Sequence, residues 1–431
     1  MSLLVLILLA LTSYVTAASK LESKATGCSL NILVNNVVTP LFLNSSFQFP
    51  NPTYNGATEV EFDKDEILYI GCPNADTTQS NFPLVPGGEE ARCVEGELIY
   101  AITSNKTVNF NALTCHQQFR PYYREIIPSS KCESNFTVRY IGQVIANKVI
   151  RVVKLCFDTT KILPLYSKYT TNKWSDLFVD YNSDINFNYV SNGLFDNLVP
   201  WDVYKQTKQT MENLGVFGYI TDDVYLVPGQ LAVYDDFLSP YQRDLTFDYA
   251  NTAFQWNTIK NGNWKNVVSS LQSLITKGKD FGEVTMLGGT LRIASLPNKS
   301  GSPVELFLSG DGRMPVPSWF WKLFFSKSDY SAIMFFVYNN PYVEKSVVDK
   351  ELKTICQKDV LNDLHWVKGI DNTNAKAGFT YACLVARNYM VDEVIREIVN
   401  NVLNEQKFGS GLLQIPMGGG QIQSEAVKVE S

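Results

Sequence analysis

Between Gln255 and Lys327 the chain carries nine basic residues, Lys260, Lys265, Lys277, Lys279, Arg292, Lys299, Arg313, Lys322 and Lys327, against Asp280, Glu283, Glu305 and Asp311. That stretch is +5 inside a chain of 431 residues whose formal net charge is −6. Cations at this density can neutralise phosphates, contacts that give affinity without sequence information; a solvated lysine-rich face is the other use of the same residues. Arg243 and Tyr234 lie just upstream, and Trp256 and Trp264 are interleaved with the charges. Their rings can stack on bases or pack in a core. Proton transfer is poorly served here. Gln230 is an amide that takes no proton at physiological pH, and the two histidines of the chain, His116 and His365, fall outside the segment. Their ordinary reading is structural or surface. The acidic counterweight sits far away, in Glu59, Glu61, Asp63, Asp65 and Glu66.

The elements that must position these groups follow from periodicity. From Cys28 to about Phe157 short β-branched and aromatic runs (EVEFD, EILYIGC, LIYAI, TVNF, FTVRYIGQVI, VIRVVKLCF) alternate with Asn, Gly, Pro and Ser clusters, which predicts a β module. Apolar residues at three- and four-residue spacing predict helices over WDVYKQTKQTMENL (201–214), WKNVVSSLQSLITK (264–277) and VDEVIREIVNNVLNE (391–405). Strands are expected at VTMLGGTLRIASL, VELFLSG and SAIMFFVYN. The fold class is therefore α+β. With 45% apolar and 13% aromatic residues the chain is packed rather than disordered. The expected organisation is a signal peptide over 1–18, a cysteine-rich β module over 19–160, a mixed α and β domain over 161–406, and a flexible tail with GSG and GGGQ over 407–431.

The signal peptide is read from LLVLILLAL (3–11) followed by the small residues Val15-Thr16-Ala17-Ala18. No later apolar stretch approaches the roughly 20 residues needed to span a bilayer, so the expectation is a secreted, extracellular protein with no membrane partner. Eight cysteines suit that compartment. Six precede residue 160, giving up to three bridges of open connectivity, and Cys356 and Cys383 are left to pair with each other. Asn44, Asn105, Asn135 and Asn298 head candidate glycosylation sequons.

The segment YLVPGQLAVYDDFLSPYQRDLTFDYANTAFQWNTIKNGNW (225–264) resembles the active-site region of the DNA/RNA non-specific endonucleases, and especially their insect secreted branch. The family's Arg-Gly-His-Leu-Ala block followed by Asp-Phe aligns with Pro228-Gly229-Gln230-Leu231-Ala232 and Asp236-Phe237. Its Asn-x-x-Pro-Gln-Trp block with the following Asn, Gly and Trp aligns with Asn251, Phe254, Gln255, Trp256, Lys260, Gly262 and Trp264. PVPSWFWK (315–322), Asn339-Asn340-Pro341 and GFTYAC (378–383) extend the likeness over roughly 200–390.

The resemblance implies a ββα-metal nuclease-like domain behind a disulfide-rich β module. In that family a histidine activates water and an asparagine holds Mg²⁺ against the scissile phosphate, a base and a Lewis acid that phosphodiester hydrolysis needs together. This chain departs at each place: the base position is Gln230, the preceding arginine is Pro228, the metal-ligand position is Lys260, and a frequent glutamate is Val268. The layout is similar to that of the nuclease-like salivary proteins of tsetse flies, which implies DNA and RNA binding with residual cleavage at most and no required cofactor. Lys260, Lys265, Arg243 and Trp256 are the expected nucleic-acid contacts, with the Lys260 ammonium standing in for the metal. Two alternatives stay open. A one-residue slip would offer Asn261 as Mg²⁺ ligand and Asp235 or Asp236 as a weak base, giving an active Mg²⁺-dependent endonuclease; or the scaffold is a secreted protein-binding component.

Overall fold

A computed structural model describes residues 27–32, 40–52, 59–72, 87–113, 123–132, 136–175, 194–195, 197–238, 240–386, 389–405 and 415–416. The expected signal peptide, nearly all of the expected tail, His116 and Asn135 lie outside them. The chain forms two compact units, residues 1–121 with 144–150, and residues 122–143 with 151–431.

In the first unit β1 (Cys28–Asn31) pairs with β3 (Glu59–Phe62). The strands β2 (Leu41–Asn44), β4 (Ile67–Gly71), β5 (Glu89–Glu95), β6 (Leu98–Ala101) and β7 (Lys106–Asn109) make an antiparallel sheet in the order β2-β4-β5-β6-β7. In β3 the glutamates are exposed while Val60 and Phe62 are buried, the period-two pattern of a half-buried strand. The acidic run is thus a solvated face over a core of Leu30, Leu68, Ile70, Ile99 and Phe110. Cys28–Cys93 staples it, and Cys72 is disulfide-bonded as well.

The second unit is built on an eight-stranded antiparallel sheet. Its members are β8 (Tyr123–Lys131), β9 (Thr137–Ile145), β10 (Lys148–Asp158), β11 (Leu163–Thr171), β14 (Val284–Ile293), β17 (Pro317–Ser326), β18 (Ser331–Tyr338) and β19 (Thr380–Leu384), in the order β19-β18-β17-β14-β11-β10-β9-β8. The strands expected to end the β module at residue 160 therefore belong to this sheet, and the division falls near residue 121. The reason is pairing: β11, which the sequence patterns did not single out, joins β10 on one side and β14, more than a hundred residues on, along its other edge. Cys132–Cys156 lies within this unit, and Cys356 pairs with Cys383 as expected.

Every residue of β17, PSWFWKLFFS, is buried, so the central sheet is covered on both faces. Alternation sorts its side chains. Phe320 and Phe324 face a core that includes Leu226, Phe254, Trp264, Val267, Leu271 and Leu274. Trp319, Trp321, Leu323 and Phe325 face another, closed by Val348 of the Lys345–Leu352 helix and by Ile395, Ile398 and Val402 of the Glu393–Glu405 helix. The helix expected over 201–214 is two short ones, Pro200–Lys205 and Thr207–Asn213. Among the described residues no helix is long and apolar enough to cross a membrane.

Candidate nucleic-acid interface

The segment that drew attention in the sequence folds as strand, strand, helix. β12 (Leu226–Gln230) pairs antiparallel with β13 (Thr252–Trp256), which sets Gln230 opposite Thr252 and Pro228 opposite Phe254. The chain then passes through the turn Asn257–Ile259 and a wide turn, Lys260–Trp264, into the Lys265–Lys277 helix. The helix begins within one residue of the expected Trp264, and Gly262 just before it has non-helical torsions (φ −94°, ψ −125°). A Cβ there would lie 2.8 Å from the Ala377 carbonyl oxygen, so a close backbone approach requires the glycine.

Buried asparagines fasten this unit to the sheet. Asn339 accepts from the Trp256 amide at 3.1 Å and donates to the carbonyls of Phe254 and Pro317 at 3.0 and 2.9 Å. Asn251 accepts from Ser167 Oγ and the Ala232 amide and donates to the carbonyls of Ala232 and Thr246. Gly288 of β14 completes the seating, since a Cβ there would stand 2.2 Å from the Leu231 carbonyl oxygen. The end of β12 that carries Gln230 is therefore held directly on the middle of the sheet.

Gln230 is 7% exposed and donates to the carbonyl and the hydroxyl of Thr246 at 3.2 and 3.0 Å. Its amide is fixed in place without any capacity to accept a proton. Lys260 Nζ donates to the Pro228 carbonyl at 2.9 Å, across the mouth of the β12–β13 pair. It is half-buried, and burial holds its ammonium below the ordinary lysine value. Asn261 and Lys265 are exposed.

Two of the expected contacts are placed elsewhere. Arg243 is 6% exposed and donates to the carbonyls of Phe237 and Ser175, both at 2.8 Å, so its guanidinium holds a loop together. Trp256 is 1% exposed with its ring edge-to-face on Tyr342, which makes it a packing residue. Trp264 packs likewise on Phe320. The basic stretch is also divided by folding. Lys279 pairs with Asp329, Arg292 with Glu351 and Asp392, Arg313 with Asp311, and Lys322 with Asp236. Lys265, Lys277, Lys299 and Lys327 are exposed.

The Lys322 contact carries a feature that charge counting along the sequence does not reach. Lys322, fully buried on β17, donates to Asp236 at 2.9 Å and to the Tyr169 hydroxyl at 2.7 Å, and Tyr169 also bonds Asp236. Burial, with the Asp236 charge beside it, pushes the Tyr169 hydroxyl well up, so it stays protonated and donates. Asp236 is thus engaged beneath the hairpin. Asp235 remains half-buried; burial raises its carboxyl above the usual range against the pull of Arg243.

A strand–strand–helix unit laid on an antiparallel sheet, with its key side chains at the strand end and the helix start, is the ββα arrangement of a nuclease-type scaffold. The chain belongs to the DNA/RNA non-specific endonuclease family, whose model matches residues 140–388, more than half of its length. It is similar to a salivary endonuclease of Lutzomyia longipalpis, 25% identical over 376 residues that cover 82% of this chain and 86% of the relative. It is also similar to salivary protein Tsal1 of Glossina morsitans morsitans, 25% identical over 54% of this chain and 57% of that one. Salivary protein Tsal2A of the same fly is 26% identical over 42% of this chain and 45% of that protein. Among solved structures, a chain of the EndoG/EndoGI complex aligns with 45% of this chain and 74% of its own at 16% identity and a TM-score of 0.31, and no argument rests on it.

The family's Mg²⁺ does not fit the residues present. Where the resemblance puts its asparagine ligand this chain has an ammonium that already donates to the Pro228 carbonyl, and a cationic hydrogen-bond donor cannot ligate a metal ion. Among the described residues no group of three or more His, Cys, Asp or Glu side chains gathers to hold one.

Proposed function

We propose that this chain binds DNA and RNA through their phosphates, without sequence preference, on a non-specific endonuclease scaffold whose hydrolytic centre has been replaced, and that it cleaves at most residually. The observation that carries the reading is Lys260 bonded to the Pro228 carbonyl beside a strand end that presents Gln230. That arrangement offers a fixed positive charge where hydrolysis calls for a metal, and an amide where it calls for a base. Lys260 uses one N–H on the carbonyl, and an ammonium has two more for a phosphate oxygen. The disulfide bonds and the salivary relatives support an extracellular setting for this activity.

The test is binding of the purified protein to labelled duplex DNA and RNA across a salt series, with Mg²⁺ or with EDTA, followed by inspection of the same samples for fragments. Affinity indifferent to EDTA, falling steeply between about 50 and 200 mM salt, with intact strands, is expected. Mg²⁺-dependent fragmentation would instead favour the alternative in which the exposed Asn261 and the half-buried Asp235, with its raised pKa, serve as ligand and base. Absence of binding would leave the protein-partner reading.

The Lys260 environment adds a pH dependence. Burial lowers its pKa, so the charged form is lost as pH rises through a value below that of an ordinary lysine. The affinity it contributes is therefore present below that pH and disappears above it, earlier than for an exposed lysine. Lys260→Arg keeps its charge throughout and is expected to hold affinity to higher pH than the unaltered chain in a binding titration. Identical alkaline profiles would remove Lys260 from the interface.

A further inference from the structure

One surface element beside this site carries, apart from Gly378, none of the residues that the sequence patterns marked. The segment 368–378, KGIDNTNAKAG, returns from late in the chain to the start of the Lys265–Lys277 helix, and its Ala375–Ala377 turn packs against both the Asn257–Ile259 and Lys260–Trp264 turns. Asn263 donates to the carbonyls of Asp371 and Gly378 at 3.0 and 2.6 Å and accepts from the Asp371 amide at 2.9 Å. Asn266 donates to the Gly369 carbonyl at 2.6 Å, and Ser270 accepts from the Lys368 amide at 3.1 Å. Residues 263, 266 and 270 are spaced i, i+3, i+7 along the run into the helix, so they form a single stripe.

That stripe is polar where a packing helix would ordinarily present apolar side chains, and every bond it makes goes to backbone. The loop's main chain is consequently fixed; Ile370 and Ala375 pack on the cores and the Asn372 side chain bonds the Thr380 backbone, while the two lysines stay in solvent. Lys368 and Lys376 are both exposed. Lys376 lies in the turn packed on Lys260–Trp264 and Lys368 beside Ser270 in the second turn of the helix, so with Lys260 and Lys265 four lysines flank the beginning of the helix, against Asp371, whose carboxylate is engaged by the Thr373 amide and hydroxyl, and the half-buried Asp235. A local excess of cations on an otherwise acidic protein, carried on a rigid backbone, is complementary to successive phosphates of a nucleic-acid strand, and pre-ordering the loop lowers the entropic cost of contact.

We infer that segment 368–378 is a phosphate-contacting arm of the nucleic-acid interface, with Lys368 and Lys376 as its contacts and Asn263 as the residue that positions it. The inference rests on the nucleic-acid-binding reading above and extends it to residues over a hundred positions away in sequence.

The experiment compares the unaltered chain, Lys368→Gln/Lys376→Gln and Lys260→Gln in binding to one labelled duplex DNA over a salt series. The arm variant is expected to bind roughly 10-fold more weakly at low salt, and loss of two phosphate contacts should flatten the log–log salt slope by about 1.8. In the unaltered protein, acetylation of Lys368 and Lys376 read by mass spectrometry should fall when duplex is added, a result that needs no substitution. If the arm variant keeps its affinity and slope while Lys260→Gln loses both, the arm is outside the interface and the proposed function stands. If the unaltered chain binds no nucleic acid at any salt, that function fails and the arm with it.

Discussion

Replacing Gln230 by His and Lys260 by Asn together is expected to raise Mg²⁺-dependent cleavage of duplex DNA by about 10²- to 10⁴-fold over the unaltered chain, the range that a positioned general base supplies. The cradle for the base is already present. Gln230 donates to the Thr246 carbonyl, and an imidazole N–H in its place would donate to the same oxygen, fixing the tautomer and leaving the other ring nitrogen to take a proton from water. Lys260→Asn removes the ammonium and restores a carbonyl oxygen that a hard cation accepts. Pro228 would still stand where the family has an arginine, which places the gain toward the lower end. Either change alone should do little, since a base without a metal and a metal without a base act as incomplete units. Cleavage of a labelled duplex with Mg²⁺ and with EDTA reads all four proteins. If the unaltered chain cuts as fast as the double variant, the centre was never lost.

Lys322→Met is expected to cost about 3–5 kcal/mol, the usual consequence of removing one partner of a buried ion pair. In a unit of more than 200 residues that corresponds to a fall in Tm of roughly 10 °C. The cause is the neighbour left behind. Asp236 is 2% exposed, and without the ammonium it keeps the Tyr169 hydroxyl as its one remaining side-chain donor among the described contacts. A carboxylate buried in that position is left without the ammonium that paired with it. Lys322→Met with Asp236→Asn removes both charges at once and should recover most of the loss. Urea or thermal unfolding of the two variants checks this. A single variant no less stable than the double would mean that the pair is not the source of the stability. Since Asp236 and Asp235 share the turn that follows β12, the single variant should also weaken nucleic-acid binding if that turn shapes the interface.

Several features of this protein follow from residue identity alone, because they do not depend on where the chain puts a side chain. An amide at Gln230 cannot be a base, and an ammonium at Lys260 cannot be a metal ligand, in any fold. The helix entered at Lys265 and the strand pattern of β3 were legible as well, since local periodicity reports which positions face a core. Cys356 and Cys383 were left to each other by their distance from the remaining cysteines. The central strand β17 carries part of the family likeness but has no alternation to announce it, being buried on both faces. The boundary near residue 121 escaped for a related reason: turn clusters look the same whether the next strand pairs with a neighbour or with β14.

Which cations stay exposed was decided by tertiary structure. Nine basic residues in one stretch suggest a single positive face, yet carboxylates from outside the stretch neutralise Lys279, Arg292 and Lys322, and Asp311 within it pairs with Arg313. Arg243 and Trp256, of the right types at the right place in sequence, are drawn into backbone and aromatic contacts by burial. Conversely, the turn that carries Lys376 packs on the turn that carries Lys260, and Lys368 reaches the same helix, only because Asn263 and Gly262 let a distant loop close on it. Sequence fixes what each side chain is able to do; which charges remain available to a partner depends on distances between residues far apart in the chain, and those exist only once it has folded.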